Sequence, residues 1–273
     1  MKRIIEMILN IKLDLSPKSK LSTSFSDNQS YPQFCLQASN DLQVFNTFRS
    51  NPIYNEILEH VSEKQGREYL EQIKKNPEIL KGINTFKEND LFGNPRVSEY
   101  ANIGKISPTT LRYVKVLTDL NFFFGNLDGF NICEIGVGYG GQCRIIDCYF
   151  SLNAYWLIDI KPALMLSRRF LDNYDIRSTL FYKTMNETEK INYDLLISNY
   201  AFSELNRKIQ DLYLEKVILN SKRGYITYNE VTPPEFHSYK KQELIEIIPD
   251  SVIIEEIPFT HPQNCIIIWG DKL

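Results

Sequence analysis

The chain is predicted to be an α/β protein in which a doubly wound sheet of seven strands, the last one antiparallel, follows a helical N-terminal region. Three observations predict it. Between Asn40 and Leu120 the apolar residues recur at helical spacing. After Asn131 short apolar runs alternate with helix-length stretches, the pattern of a parallel sheet covered on both faces. The first of those runs ends in a glycine-rich turn that opens a helix.

Composition bounds the reading. A chain of 273 residues with 43% hydrophobic and 24% charged residues is long enough for one generous core and too apolar for disorder. A net charge of -3 gives no basic excess, so nucleic acid is not an expected partner. The five cysteines, Cys35, Cys133, Cys143, Cys148 and Cys265, include no CxxC pair. The expectation is a reducing, cytoplasmic setting without disulfides or zinc. No apolar run approaches the roughly 20 residues of a membrane span.

Taking the elements in order, the first ten residues begin like a signal peptide, but Glu6, Lys12 and Asp14 break the apolar stretch, so an amphipathic first helix is expected. Residues 15–33, rich in Ser, Lys, Asn and Pro, read as a flexible linker. Leu42, Phe45 and Phe48, then Tyr54, Ile57, Leu58 and Val61, then Tyr69, Leu70 and Ile73 mark several short helices. Gly93-Asn94-Pro95 is turn chemistry, and Ser107-Pro108 reads as an N-cap followed by proline at the first helical position. Strands are expected at 131–135, 154–158, 178–182, 194–198, 224–228, 251–255 and 265–269, the last two as an antiparallel hairpin. The division this suggests is a helical cap or substrate region over 1–120 and a Rossmann-like cofactor-binding domain over 121–273.

The most specific segment is Asn131-Ile132-Cys133-Glu134-Ile135-Gly136-Val137-Gly138-Tyr139-Gly140-Gly141-Gln142. Its glycines allow a sharp turn and close approach of a ligand, and the following helix offers unpaired N–H groups. Gly136, Gly138 and Gly141 also satisfy the dinucleotide fingerprint, so the glycines alone leave nicotinamide and sulfonium cofactors open. Glu134 discriminates between them: a carboxylate there attracts the ammonium of a methionine moiety and repels a diphosphate. The expected cofactor is S-adenosylmethionine, held by Glu134, Gly136, Gly138, Gly140 and Gln142. Asp159, at the end of the second strand, would accept the ribose hydroxyls or else cap the next helix. Met185 and Asn186 lie where the adenine edge should rest, or Met185 is simply packing. Ser198 and Asn199 end the fourth strand and should face the transferred group.

The run Asn199-Tyr200-Ala201-Phe202-Ser203-Glu204-Leu205, the glycine turn with Glu134, the segment from Gly104 to Tyr113, and the helical stretch around Phe45-Asn46-Thr47-Phe48-Arg49 and Tyr54 together resemble a sugar O-methyltransferase family of bacterial polysaccharide gene clusters. The resemblance spans most of the chain beyond its first 30 or so residues. It implies a class I methyltransferase fold, S-adenosylmethionine as donor and S-adenosylhomocysteine as product, and work on capsule or lipopolysaccharide precursors, with a homodimer as a further expectation.

A sugar hydroxyl needs a general base. His237, in the loop after the fifth strand, leads the candidates, with Glu204 as the alternative and Tyr200 beside the methyl group. His60 is read as structural. Tyr200, Asn229, Glu230 and His261 are expected at the acceptor, with Tyr100. An acceptor already negative, such as a phosphate or phosphoramidate oxygen on a nucleotide-linked precursor, needs cations instead, and Arg96, Arg112 and Lys105 are the available ones. No HxxxH or DxD spacing suggests a catalytic metal. The competing classes are a nicotinamide-dependent reductase or epimerase and a silent Rossmann-like subunit.

Overall fold

The computed structural model describes Ser24 and residues 30–270. The expected first helix lies outside the described residues, as does most of the linker. The linker's end is corrected: helix α1, Ser30–Asn40, already includes its last four residues. Tyr31, Phe34, Cys35 and Ala38 fall at helical spacing and are buried, an apolar stripe that the polar average of the surrounding segment conceals.

Short helices follow: α2 (Leu42–Thr47), α3 (Pro52–Ile57), α4 (Glu63–Ile73), α5 (Pro77–Lys81) and α6 (Ile83–Lys87). Their starts are written in the sequence. Asp41, Asn51, Ser62 and Asn76 accept backbone N–H groups of the first turn, and Ser62 with Gln65 completes a capping box. The expectation of helix alone up to Leu120 misses an antiparallel pair of three-residue strands, β1 (Ser98–Tyr100) and β2 (Gly104–Ile106). The turn between them needs positive φ at Asn102 and Gly104. Helix α7, Pro108–Phe124, opens as expected on Ser107, whose Oγ accepts from Thr109 N at 3.2 Å.

The sheet contains β3 (Asn131–Ile135), β4 (Ala154–Ile158), β5 (Thr179–Lys183), β6 (Leu195–Asn199), β7 (Gly224–Tyr228), β8 (Val252–Glu255) and β9 (Cys265–Trp269). All seven expected strands form, with β5 and β6 one residue further along than the apolar runs suggest and β8 starting one residue later. The order is β5-β4-β3-β6-β7-β9-β8; neighbours from β5 to β7 pair in parallel, and β9 runs antiparallel to both β7 and β8. Helices α8 (Gly141–Tyr149), α9 (Lys161–Leu171), α10 (Arg207–Lys216) and α11 (Lys241–Ile247) connect the strands. This is the expected α/β fold, with the last strand reversed. The chain winds outward from β3 to β5 and returns to β6, so the switch of direction falls between β3 and β6, where an open α/β sheet leaves a crevice at its carboxyl edge.

Strand alternation distributes the core. Ile132 belongs to the cluster on one face of the sheet, and Cys133 and Ile135 to the cluster on the other. Glu134 shares the face of Ile132 and is 2% exposed. The N-terminal helices close onto this same face through aromatic rings: Tyr139 of the glycine turn lies 4.7 Å from Phe170 and 5.6 Å from Phe48 between ring centres. Each such ring, fully buried, contributes about 1.5–3 kcal/mol.

Arg49, wholly buried, joins these layers. It donates to Glu59 Oε1 at 2.5 Å, Asn89 O at 2.8 Å, Asp90 Oδ1 at 3.1 Å and Ser107 Oγ at 3.4 Å. Its guanidinium carbon stands 4.8 Å from the Tyr139 ring centre. A buried cation is tolerable only with its donors satisfied and counter-charges at hand, and both conditions are met.

Candidate active site

A cavity of about 660 Å³ lies over the carboxyl ends of β3, β4 and β6, roofed by the N-terminal helices and the crossing before β9. Gly136 and Gly138 shape its floor, with φ of 79° and 55°. A Cβ on Gly136 would lie 2.0 Å from that of Ala201, and one on Gly138 would lie 2.6 Å from Leu58 Cδ1. Glycine is therefore favoured by conformation at both positions and required by space at Gly136, where the obstacle is a short, fixed Cβ. Gly136 and Ala201 touch across the switch point, so the turns after β3 and β6 are fitted to each other.

Two carboxylates flank this floor. Glu134 Oε2 accepts from Tyr155 OH at 2.7 Å, and burial pushes its pKa up to about 8 against the lowering effect of that hydrogen bond. Asp159 Oδ2 accepts from Gly138 N at 3.0 Å and Oδ1 from Ile160 N at 2.7 Å. Burial raises its carboxyl to about 6, opposed by those backbone donors. The cap of α9 is Ile160, not Asp159. Met185 and Asn186, in the short turn after β5, line the cavity, as does Asn199, whose buried Nδ2 has no partner.

The segment after β6 is held tightly. Ser198 Oγ accepts from Phe202 N at 3.1 Å and donates to Ile135 O at 3.2 Å, fixing Tyr200 at a φ of 67°. Positive φ at a non-glycine aromatic residue is strained and is held only by its surroundings. The Tyr200 hydroxyl bonds the buried Glu256 carboxylate and lies 3.2 Å from Thr260 Oγ1. Glu204 also reaches the cavity; its Oε1 accepts from Asn229 Nδ2 at 2.8 Å, and burial raises its pKa.

Glu134, Gly136, Gly138, Asp159, Met185, Asn186, Asn199, Tyr200, Glu204, Arg112 and Asn229 are thus brought together. Others are not. Gly140, at φ 86°, packs on Leu171, and Gln142 donates to Tyr113 O at 3.2 Å, so both shape the turn without lining the cavity. Ser198 acts through the turn described above. Arg96 is exposed and donates to Val61 O at 2.6 Å, while Tyr100 is buried against Gly66. Glu230 pairs with Lys240 at 3.1 Å.

His237, the leading candidate for the base, is exposed in a left-handed turn that ends a short helical turn, and does not line the cavity. His261 is exposed too, its Nδ1 accepting from Gln263 N at 3.3 Å, although its neighbour Thr260 does line the space. Conversely, His60, read as structural, stands at the rim beside Arg112, and burial with that cation lowers its pKa.

Sequence reasoning missed Tyr155, Tyr69, Thr260 and Asn264. Tyr155 sits opposite Ile132 in the parallel register, a pairing that no local pattern announces. Tyr69 was legible only as an apolar helical position.

No family model matches the chain, and no curated protein does. Among solved structures, the chain is similar to magnesium protoporphyrin IX methyltransferase from Synechocystis PCC 6803 with bound SAM, at 13% identity and a TM-score of 0.44 over 57% of this chain and 78% of that one. It is also similar to phosphoethanolamine N-methyltransferase 2 from Haemonchus contortus in complex with S-adenosyl-L-methionine, at 18% identity and a TM-score of 0.43 over 65% of this chain and 44% of that one. A third is the methyltransferase domain of bacterial CtHen1, at 11% identity and a TM-score of 0.46 over 59% and 97%. At these distances the site is read from its own residues.

Proposed function

We propose that the chain is an S-adenosylmethionine-dependent methyltransferase that acts on an oxygen of a polar acceptor, and that the acceptor is a sugar or related precursor of a bacterial surface polysaccharide. The observation that carries the reading is the commitment of the glycine turn. Gly138 N is already donated to Asp159, and Glu134 and Asp159 both border the floor, so the turn offers carboxylates where a diphosphate would need N–H donors. The pair suits a ligand with a cationic amino acid end and a ribose.

The residues present fit that donor. Glu134 would face its ammonium, Asp159 its ribose hydroxyls, and Met185 with Asn186 its adenine, while the orphaned Asn199 Nδ2 offers a donor within the same space. Bound S-adenosylmethionine supplies an electrophilic methyl group on sulfur. The chain's own contribution is to exclude water and hold the acceptor oxygen in line, which is worth several kcal/mol. Of the titratable groups in the cavity, Glu204 is our candidate to take a hydroxyl proton in place of His237: it lines the cavity, Asn229 orients it, and burial raises its pKa. Tyr200, anchored by Glu256, positions the acceptor.

Calorimetry decides the class. S-adenosylhomocysteine should bind and NAD should not; binding of NAD alone would overturn the reading. Mass spectrometry after incubation with S-adenosylmethionine and nucleotide-linked sugars should then show gain of one CH₂ group on the acceptor.

A further inference from the structure

We propose that Arg112 is the recognition group for a negatively charged substituent on the acceptor, a carboxylate or a phosphate, so that the substrate class is an anionic sugar rather than a neutral one; this rests on the methyltransferase reading. The observations are of charge and of unused donors. Arg112 lines the cavity from α7, and among the described residues its guanidinium makes one hydrogen bond, from Nη2 to Leu58 O at 3.2 Å. Nε is shielded from solvent and has no partner. Among the described residues Arg112 has no ion pair, because the adjacent carboxylate, Glu59, is already taken by Arg49 at 2.5 Å. What faces Arg112 is mostly neutral: the Tyr113 ring centre at 5.6 Å, with Tyr69 and Tyr200 close enough to interact electrostatically, His60 beside it, and Glu59 acting on it only from beyond ion-pair distance.

The contrast within the molecule is informative. Arg49, wholly buried, is saturated by two carboxylates, a carbonyl and a hydroxyl. Arg144 donates to Thr85 O at 2.7 Å and to Glu88 Oε2 at 2.7 Å. Of these three, Arg112, which lines the cavity, is the one left with N–H groups unused among the described residues. A guanidinium held in a partly desolvated wall without a counter-ion is costly by itself and becomes favourable when an anion arrives, above all one that can accept two parallel N–H bonds. Its position next to Tyr200 would set that anionic group beside the methyl-accepting oxygen and leave Glu134 and Asp159 to the cationic ligand.

The test uses the full chain labelled with ¹⁵N, with the Arg112 Nε–H resonance assigned by its loss in Arg112→Lys. Inorganic phosphate, acetate and glucose are titrated with and without S-adenosylhomocysteine. A saturable shift with phosphate alone supports a phosphate-bearing acceptor, one with acetate alone a carboxylate-bearing acceptor, and glucose should leave the resonance in place. Arg112→Gln should lower the affinity for the effective anion by about tenfold or more, with S-adenosylhomocysteine affinity kept within about twofold. If neither anion moves the resonance, or if Arg112→Gln binds the anion as the parent does, the proposal is overturned. Should Arg112→Gln fail to fold, the titration of the parent chain decides alone. Loss of S-adenosylhomocysteine binding in the parent would instead sink the methyltransferase reading, and the anion titration without that ligand would still score Arg112.

Discussion

The floor of the cavity and its roof are built by different means. The floor comes from one continuous strand–turn–helix–strand unit, in which Glu134, Gly136, Gly138 and Asp159 lie within β3, its turn and the end of β4. It is made largely of backbone and presents two buried carboxyl groups. The roof is assembled from distant pieces: Tyr69 from α4, Arg112 from α7, Tyr200 after β6, Thr260 and Asn264 before β9. It is made of side chains and includes the Arg112 guanidinium. A short-range unit can be rigid and common to many acceptors, whereas a long-range assembly can change its lining by single substitutions without disturbing the turn.

That contrast breaks first at Gly136. Gly136→Ala places a methyl group against Ala201 at a positive φ, which should destabilise the fold by about 2–4 kcal/mol and lower S-adenosylhomocysteine affinity by about 100-fold or more. A normal melting curve with normal affinity would show that the two turns are not interlocked.

Asp159→Ala should weaken the same ligand by about 10–100-fold, through lost charged hydrogen bonds to the turn and to the ribose. An effect confined to turnover would move Asp159 out of the floor.

The third test is pH. Glu134 has a carboxyl raised by burial to about 8, above its ordinary value of 4.5, and Asp159, raised to about 6, is already charged above neutrality. Calorimetric affinity for S-adenosylhomocysteine should therefore rise between pH 7 and 8, by at most about tenfold per unit, as Glu134 ionises to meet the ammonium. Stability without ligand has the opposite sign: the contribution of neutral Glu134 is fully present below its ordinary carboxyl range and is lost as pH rises through about 8. Glu134→Gln should flatten both profiles, and a flat affinity profile in the parent would refute the ammonium contact.

The smallest effect is expected at His237→Asn. Asparagine tolerates the left-handed turn, and the side chain lies outside the cavity, so methyl transfer should stay within about twofold of the parent's rate. A large fall in turnover at unchanged donor affinity would restore His237 as the base.

How much was legible in advance follows the same division. The floor could be read because its signals are local: the apolar run, the glycine spacing and the acidic end of β4 each occupy a few residues. The sheet was legible for the same reason, down to the reversed hairpin, while the ladder of β1 and β2 was not, since three-residue strands leave no period to detect. The roof depends on which distant side chains converge. Of the three cations singled out before the sheet, Arg112 lines the cavity, Lys105 is exposed on β2, and Arg96 spends its guanidinium on a carbonyl at the surface. His237 was favoured because it follows a strand end, yet the loop after β7 carries it to solvent and leaves Asn229, eight positions earlier, at the site.

The aromatic seam around Arg49 has a practical consequence. Phe48, Tyr139 and Phe170 share one packed surface, and Tyr139 belongs to the glycine turn itself. A truncated fragment beginning after α7 would leave Tyr139 and Phe170 facing water and so would be a poor vehicle for expression or for grafting onto another chain. Changes to the lining of the cavity are better made by exchanging individual roof side chains in the intact polypeptide than by transplanting its helices.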